Sequence, residues 1–332
     1  MLMVDPELSS ESQGSTDRFT MRFSKMHGLG NDFVVVSEDE LNVIARACGF
    51  EINNNFLSSL ARKICDRHFS VGADGFIVVR RSDRAENQFS WTYINSDGSS
   101  SLMCGNGVRC LGLWLRRTGW TTADHFIVET GAGDVEIDFE SPEKITSDLG
   151  VPILKARWIP TKTDGSLDCE KPVISQTIKT NAGGDLKITC VNMGNPHCII
   201  YVDDLSNEEL LATIAGEVQS NPFFPQGVNV EFVKVISDTH LKVTVWERGC
   251  GRTLACASGA AATLVASVLE KKSERNATVE LPGGSLQIEW NEGDEHVRIT
   301  GPAAIVFEGR IDLRSLSLPL PKDSRYHQEG QS

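Results

Sequence analysis

The sequence predicts an α/β protein, more narrowly α+β, made of two matching halves in which curved sheets wrap a central helix. Three observations lead there. At 332 residues the chain is long for one core, and roughly 150 residues per domain suggests two. Many short strand-like runs alternate with few helices, two of which are apolar almost all round. The stretch entering each of those helices also repeats one pattern: strand, Gly/Ser-rich turn, cysteine, small residues.

In chain order, "FVVVSEDE" from Phe33 is a strand-like run, β-branched and then polar. "HFIVETGAGDVEIDFE" from His125 reads as strand, Gly-rich turn, strand. "VEFVKVISDTHLKVTVWE" from Val230 repeats this around Ser237-Asp238-Thr239, and "TVELPGGSLQIEW" from Thr278 around Pro282-Gly283-Gly284. A last strand, "AAIVFEGRIDL", follows the breaker Gly301-Pro302. The two apolar helices are expected at Val108 to Trp114, stopped by Gly119, and at Ala257 to Leu269, closed by Glu270-Lys271-Lys272. A helix without a polar face has to be enclosed on all sides, hence the wrapped sheets. A composition shift in "SDLGVPILKARWIPT" marks a linker around Leu149 to Pro160.

Bulk properties narrow the partners. A net charge of −13 argues against nucleic acid or an acidic membrane, though a local arginine can still hold an anion. Nine cysteines is an odd number without disulfide-scaffold spacing, which favours a reducing compartment and a cytoplasmic location. The first twenty residues carry Asp5, Glu7, Glu11 and Asp17 and no apolar stretch, so they read as a disordered tail rather than a secretory or transit signal. The uncharged run Thr253 to Leu269 is too short for a comfortable membrane span and is expected as a buried helix.

The repeated pattern carries the chemistry. "NSDGSSSLMCGNGVRC" (95–110) and "WERGCGRTLACASGAAA" (246–262) each set a cysteine, Cys104 or Cys256, at a helix start. The two lie 152 positions apart, so only a fold of two matching halves brings them face to face. A free thiol has a pKa of about 8.5, and unpaired N–H groups at a helix N-terminus are expected to lower it. Small residues after the cysteine let a ligand reach those N–H groups, which suit a carboxylate. Two such sites facing each other allow one thiolate to take a proton from one face of a carbon while the other thiol delivers one to the opposite face. That is racemisation or epimerisation of a small molecule without a cofactor, and no metal is implied.

With "SKMHGLGNDFVVV", "VGADGFI", "VNMGNPHC" and "GVNVEFV" in order around those two segments, the chain resembles the diaminopimelate epimerase family from about Phe23 to Gly309. The resemblance implies barrel-like mixed sheets around central helices, an active site between the halves, and interconversion of LL- and meso-2,6-diaminopimelate in lysine biosynthesis. It implies a discontinuous N-terminal domain, 21–150 plus 302–318 with Cys104, a second domain, 151–301 with Cys256, and a flexible tail, 319–332. It makes Cys104 and Cys256 the acid/base pair, the first as acceptor for the LL substrate. Asn31, Asn95, Gly105, Asn106, Asn195, Asn229, Ala257 and Ser258 match substrate-binding positions. Glu247 and Arg248 match those that hold the far amino-acid head, and His197 and Glu247 those that tune the thiols. The family usually has glycine where this chain has Ala257, and some members have a glutamine where it has Gly75, so no contact is carried over at Gly75.

Plainer readings weigh against single residues. A lone cysteine is often a small buried hydrophobe, and only the repeat lifts Cys104 and Cys256 above that. Cys110 and Cys250 read as packing; Cys48, Cys65, Cys169, Cys190 and Cys198 as inert. His197 alone would be a loop hydrogen-bonder, His27 part of a turn, and Asp32 and Asp97 turn or capping residues. Another two-thiol isomerase, such as a proline or hydroxyproline racemase, is the nearest rival, but it has no use for "WERG" and the motif asparagines. A metal protein is disfavoured for want of ligand spacing. A redox sensor pairing Cys104 with Cys256 remains a third class. The sequence leaves open whether two copies form a homodimer.

Overall fold

The computed structural model describes residues 17–84, 87–159, 161 and 168–320. The expected tails therefore fall largely outside the described residues, as does Pro160. Within the described part, Asp17–Phe19 form a single 3₁₀ turn with Phe19 buried. Near the other end, Leu318 and Leu320 pack onto a hydrophobic cluster.

The first run of elements is β1 (Thr20–Gly28), β2 (Asn31–Ser37), α1 (Glu38–Cys48), α2 (Asn54–Ile64), β3 (Gly75–Arg81), β4 (Phe89–Asn95), β5 (Ser100–Ser101), α3 (Gly105–Arg117), β6 (His125–Thr130), β7 (Gly133–Ser141) and β8 (Lys144–Asp148). The second is β9 (Gln176–Thr180), β10 (Gly184–Asn192), β11 (Pro196–Tyr201), α4 (Glu208–Gln219), β12 (Asn229–Ser237), β13 (His240–Glu247), β14 (Gly251–Thr253), α5 (Ala257–Leu269), β15 (Asn276–Leu281), β16 (Gly284–Trp290), β17 (Val297–Gly301) and β18 (Ala304–Asp312).

The same order of pairings occurs twice. In the first run β1–β2 is antiparallel, β2–β3 parallel, β3–β4 antiparallel, β4–β6 parallel, and β6–β7–β8 antiparallel. In the second, β10–β11 is antiparallel, β11–β12 parallel, β12–β13 antiparallel, β13–β15 parallel, and β15–β16–β17 antiparallel. The runs join where β8 pairs with β17, while β18 crosses back to pair with β1. The result is one connected mixed sheet. The three hairpins expected from the sequence form as β6–β7, β12–β13 and β15–β16, and the runs from Phe33 and after Gly301-Pro302 lie in β2 and β18.

Each run encloses one helix. Residues Gly105 to Leu115 of α3 are all buried, against β1, β2, β7, β8 and β18. In α5, ten of thirteen residues are buried, against β10 to β13 and β15 to β17. Fully burying a Leu, Val or Phe side chain stabilises by roughly 1.5–3 kcal/mol, so Val108, Leu111, Leu264 and Val265 anchor their helices firmly. Gly107 and Gly112 allow α3 to sit close: a Cβ on Gly107 would lie 3.0 Å from the Trp91 ring.

Three helices went unread in the sequence. α1, α2 and α4 are amphipathic and cover the outer face of the sheet, burying Leu41 and Ile44, Phe56, Leu60 and Ile64, and Leu211 and Ile214. Each starts at a side-chain cap, with Ser37, Asn53 and Asn207 accepting the N–H of Glu40, Phe56 and Leu210. The supposed linker is also packed: Ile153 bridges to Asn192, and Ala156 and Ile159 are buried.

Candidate active site

Cys104 and Cys256 are the N-cap residues of α3 and α5. Neither side chain caps its helix in the usual way, so each sulfur sits where a Ser or Asp oxygen would sit and leaves first-turn N–H groups free for a ligand. Both thiols line one cavity of about 800 Å³. The helix starts abut, since a Cβ on Gly105 would lie 2.9 Å from the Cβ of Ala257. Glycine is therefore required at 105 because alanine stands at 257.

The cavity wall gathers most residues singled out in the sequence: Asn31, Asn95, Gly105, Asn106, Asn195, Glu247, Arg248, Ala257 and Ser258. Two others stand behind it. Asn229 is buried, its Oδ1 accepting the Arg248 backbone N–H at 2.8 Å. His197 is fully buried, with Nδ1 2.7 Å from Glu231 Oε1 and Nε2 2.8 Å from Asn195 Oδ1. It braces the asparagine that reaches the wall.

The polar groups lock one another. Asn106 Nδ2 donates to Asn31 Oδ1 at 3.2 Å and to the carbonyl of Ala255 at 3.1 Å, linking the two helix starts. Asn31 Nδ2 donates to Asp74 at 2.9 Å, and Cys104 Sγ lies 3.6 Å from Asn31 Oδ1. Asp74 is held by Arg67 at 2.8 Å, and Arg67 also grips Asp32 at 2.6 Å. Lys25 reaches Asp32 at 2.7 Å. Burial alone would raise Asp32, but the hydrogen bonds from Arg67 and Lys25 outweigh it and hold its carboxyl down to about 2. Asp32 is thus an ion-pair hub rather than a turn residue. His27 does shape a turn, Nδ1 accepting the Gly30 N–H, and Asp97 does likewise with Ser99.

On the far side, Glu247 accepts from Thr253 Oγ1 at 2.6 Å, and Arg248 Nη1 donates to the Gln226 carbonyl at 2.9 Å. Gly75 gives room to an aromatic wall, since a Cβ there would overlap the Tyr93 ring.

Two expectations fail. Cysteine at a helix start was expected to have a lowered pKa. Instead burial pushes Cys104 up to about 11, against the pull of the Gly107 N–H and Arg109 and with the push of Glu247. Burial, with Glu247 and Glu231, pushes Cys256 well up too. Desolvation of a buried thiolate outweighs a few N–H dipoles. Cys250, read as packing, is exposed and lines the cavity. Glu231 and Arg109 went unread, because a charged residue inside a strand or helix gives no sign in sequence that it is buried, and Arg67 went unread because it is an exposed turn residue whose ion pairs span distant segments. Among the described residues, no group of three or more His, Cys, Asp or Glu side chains is placed to hold a metal ion. No helix among them is long and apolar enough to cross a membrane.

One cavity thus lies between two helix starts, each with a thiol at its N-cap. Solved structures share the architecture: a hydroxyproline epimerase from Agrobacterium vitis, with bound trans-4-hydroxy-L-proline, superposes with a TM-score of 0.62 over 89% of this chain and 93% of that one. At 12% identity this likeness concerns the fold alone. The sequence is more specific. It matches the family model "Diaminopimelate epimerase" at residues 23–155 and 189–306. It is 44% identical over 300 residues to the diaminopimelate epimerase of Acetivibrio thermocellus, covering 89% of this chain and 100% of that one. With the diaminopimelate epimerase of Heliobacterium modesticaldum the identity is 42% over 300 residues, 88% and 100% covered. The chain belongs to the diaminopimelate epimerase family.

Proposed function

We propose that this chain interconverts LL- and meso-2,6-diaminopimelate, an isomerisation at one α-carbon that serves lysine biosynthesis. The observation that carries the reading is the pair of N-cap thiols on one cavity, in a chain whose relatives bear that name. In the forward step the Cys104 sulfur, as thiolate, takes the α-proton. The Cα–H bond breaks, an S–H bond forms, and the electron pair spreads into the adjacent carboxylate. The Cys256 thiol then gives its proton to the opposite face, and its sulfur keeps the electron pair. The reverse reaction exchanges the roles.

First-turn N–H groups of α3 and α5 are the donors for the reacting carboxylate, whose charge grows in the transition state. Asn31, Asn106 and Ser258 orient the reacting end. Glu247 and Arg248, with Asn95 and Asn195, check the distant amino-acid head, and Asn229 holds the Arg248 backbone from behind. His197 acts from behind, through Asn195. In this reading the two cysteine-bearing halves, 21–150 with 302–318 and 151–301, act as domains facing each other across the cleft. Two thiols that must stay unpaired suit a reducing cytoplasm.

A proline or hydroxyproline racemase could share the thiols, but Glu247 and Arg248 would then be idle. The test is incubation of the reduced protein with LL-diaminopimelate, L-proline and trans-4-hydroxy-L-proline, followed by chiral chromatography. Only diaminopimelate should change, giving the meso isomer. Turnover of proline with diaminopimelate untouched would contradict the substrate assignment.

A further inference from the structure

Among the described residues Arg109 is the largest fully buried side chain, one helical turn behind the first residues of α3. A buried charge without a partner is costly, by several kcal/mol in order of magnitude, and buried arginines are ordinarily paired with carboxylates. Here the guanidinium bonds only to neutral oxygens: Asn106 Oδ1 at 2.6 Å, the Gly105 carbonyl at 3.3 Å and the Pro302 carbonyl at 3.4 Å. Among the described residues no carboxylate forms an ion pair with it.

Two consequences follow from those contacts. The cation fixes the Asn106 amide, since the oxygen must face the guanidinium and the NH₂ group must face outward. Turned that way, Asn106 Nδ2 reaches both Asn31 Oδ1 and the carbonyl of Ala255, the residue before Cys256. A single side chain thereby sets the hydrogen bonds that tie the two helix starts together. The positive charge also stands behind the α3 N-terminus with no counter-ion of its own. Burial draws the guanidinium down to about 10, and its charge pulls the Cys104 thiol down against the push of burial.

We infer that Arg109 is a positioning residue of the active site: it locks Asn106 as the bridge between α3 and the Cys256 segment, and supplies the buried positive charge for an anion formed at the α3 N-terminus. The inference rests on the two-thiol reading above and adds a residue that does not line the cavity. It explains why the site tolerates an unpaired charge: the missing anion is the thiolate or the reacting carboxylate.

The test compares wild type with Arg109→Gln, which keeps a donor for Asn106 but loses the charge, and Arg109→Lys, which keeps the charge but loses the fork. Three quantities are read: melting temperature, kcat and KM for LL-diaminopimelate, and the rate at which iodoacetamide labels Cys104 relative to exposed Cys169, by peptide mass spectrometry. For Arg109→Gln we expect the Cys104 labelling ratio to fall about tenfold, a one-unit rise in its pKa, with kcat falling more than KM rises. Arg109→Lys should keep the labelling ratio near wild type while kcat drops several-fold. A folded Arg109→Gln protein with ratio and kcat within twofold of wild type would overturn the inference. So would a lowered melting temperature with both readouts unmoved, which is what a purely structural arginine gives. Should the glutamine variant fail to fold, an unchanged kcat in the lysine variant overturns the inference and a lowered kcat with an unchanged ratio sustains it. If wild type does not epimerise diaminopimelate, the substrate reading falls, while the labelling ratios still decide the role of Arg109.

Discussion

Cys104 and Cys256 differ in their electrostatic surroundings although they occupy matching places. Arg109 lies behind the first, Glu231 beside the second, and Glu247 acts on both. A Cβ on Gly259 would sit 2.6 Å from Glu231 Oε1 and 3.3 Å from Cys256 Sγ, so the bare glycine is where that carboxylate and the second thiol come near each other. A thiol whose pKa is raised holds its proton below that value and loses it only as the pH climbs towards it. Cys104, raised to about 11, should therefore gain thiolate roughly tenfold per pH unit from neutrality upward, and Cys256, also raised, should gain it only on the alkaline side. Iodoacetamide labelling across pH 7 to 10, read by mass spectrometry, should show Cys104 reacting ahead of Cys256, because Cys104 is partly exposed with Arg109 behind it while Cys256 is buried near Glu231. Earlier labelling of Cys256 would contradict this polarity. Both thiols were legible in the sequence because each heads a small-residue helix start. The charges that distinguish them were not, because Arg109 and Glu231 look in sequence like ordinary members of a helix and a strand.

At the scale of elements, the site depends on how closely α3 and α5 approach. Gly105 and Ala257 form that contact, one bearing no Cβ because the other has one. Gly105→Ala should force the helix starts apart, lowering kcat by at least tenfold and stability by about 1–3 kcal/mol, as overpacked cores do. Adding Ala257→Gly should restore much of both, since it returns the missing volume. Thermal melts and kcat of the single and double variants form a cycle that checks it; additive losses would show that the contact is not the cause. α3 and α5 could be read beforehand because apolar residues fill them on every side. α1, α2 and α4 are short and amphipathic, and their plainest signals were the caps Ser37, Asn53 and Asn207 rather than the hydrophobic pattern. The hairpins could be read because their turns carry Gly, Asp or Ser between alternating strands.

Over the whole molecule, one sheet winds through the same pairing order twice and wraps two helices, and that repetition brings together cysteines 152 positions apart. A net charge of −13 does not prevent binding of a molecule with two carboxylates and two ammonium groups, because the site offers helix N-termini, Arg248 and Glu247 locally. The cross-over pairing of β18 with β1 and the β8–β17 seam could not be read from local pattern, since long-range register leaves no trace in a hairpin signal. The family resemblance supplied what periodicity could not. The central claim, that two thiols exchange one α-proton, is tested most directly by proton NMR of LL-diaminopimelate with the reduced protein in D₂O, beside Cys104→Ala and Cys256→Ala. The account predicts loss of the α-hydrogen signal with appearance of the meso isomer for wild type, and epimerisation reduced by at least 10³-fold in each variant, the order that loss of an acid/base group gives. Full activity in either variant, or an untouched signal with folded, fully reduced wild type, would contradict it.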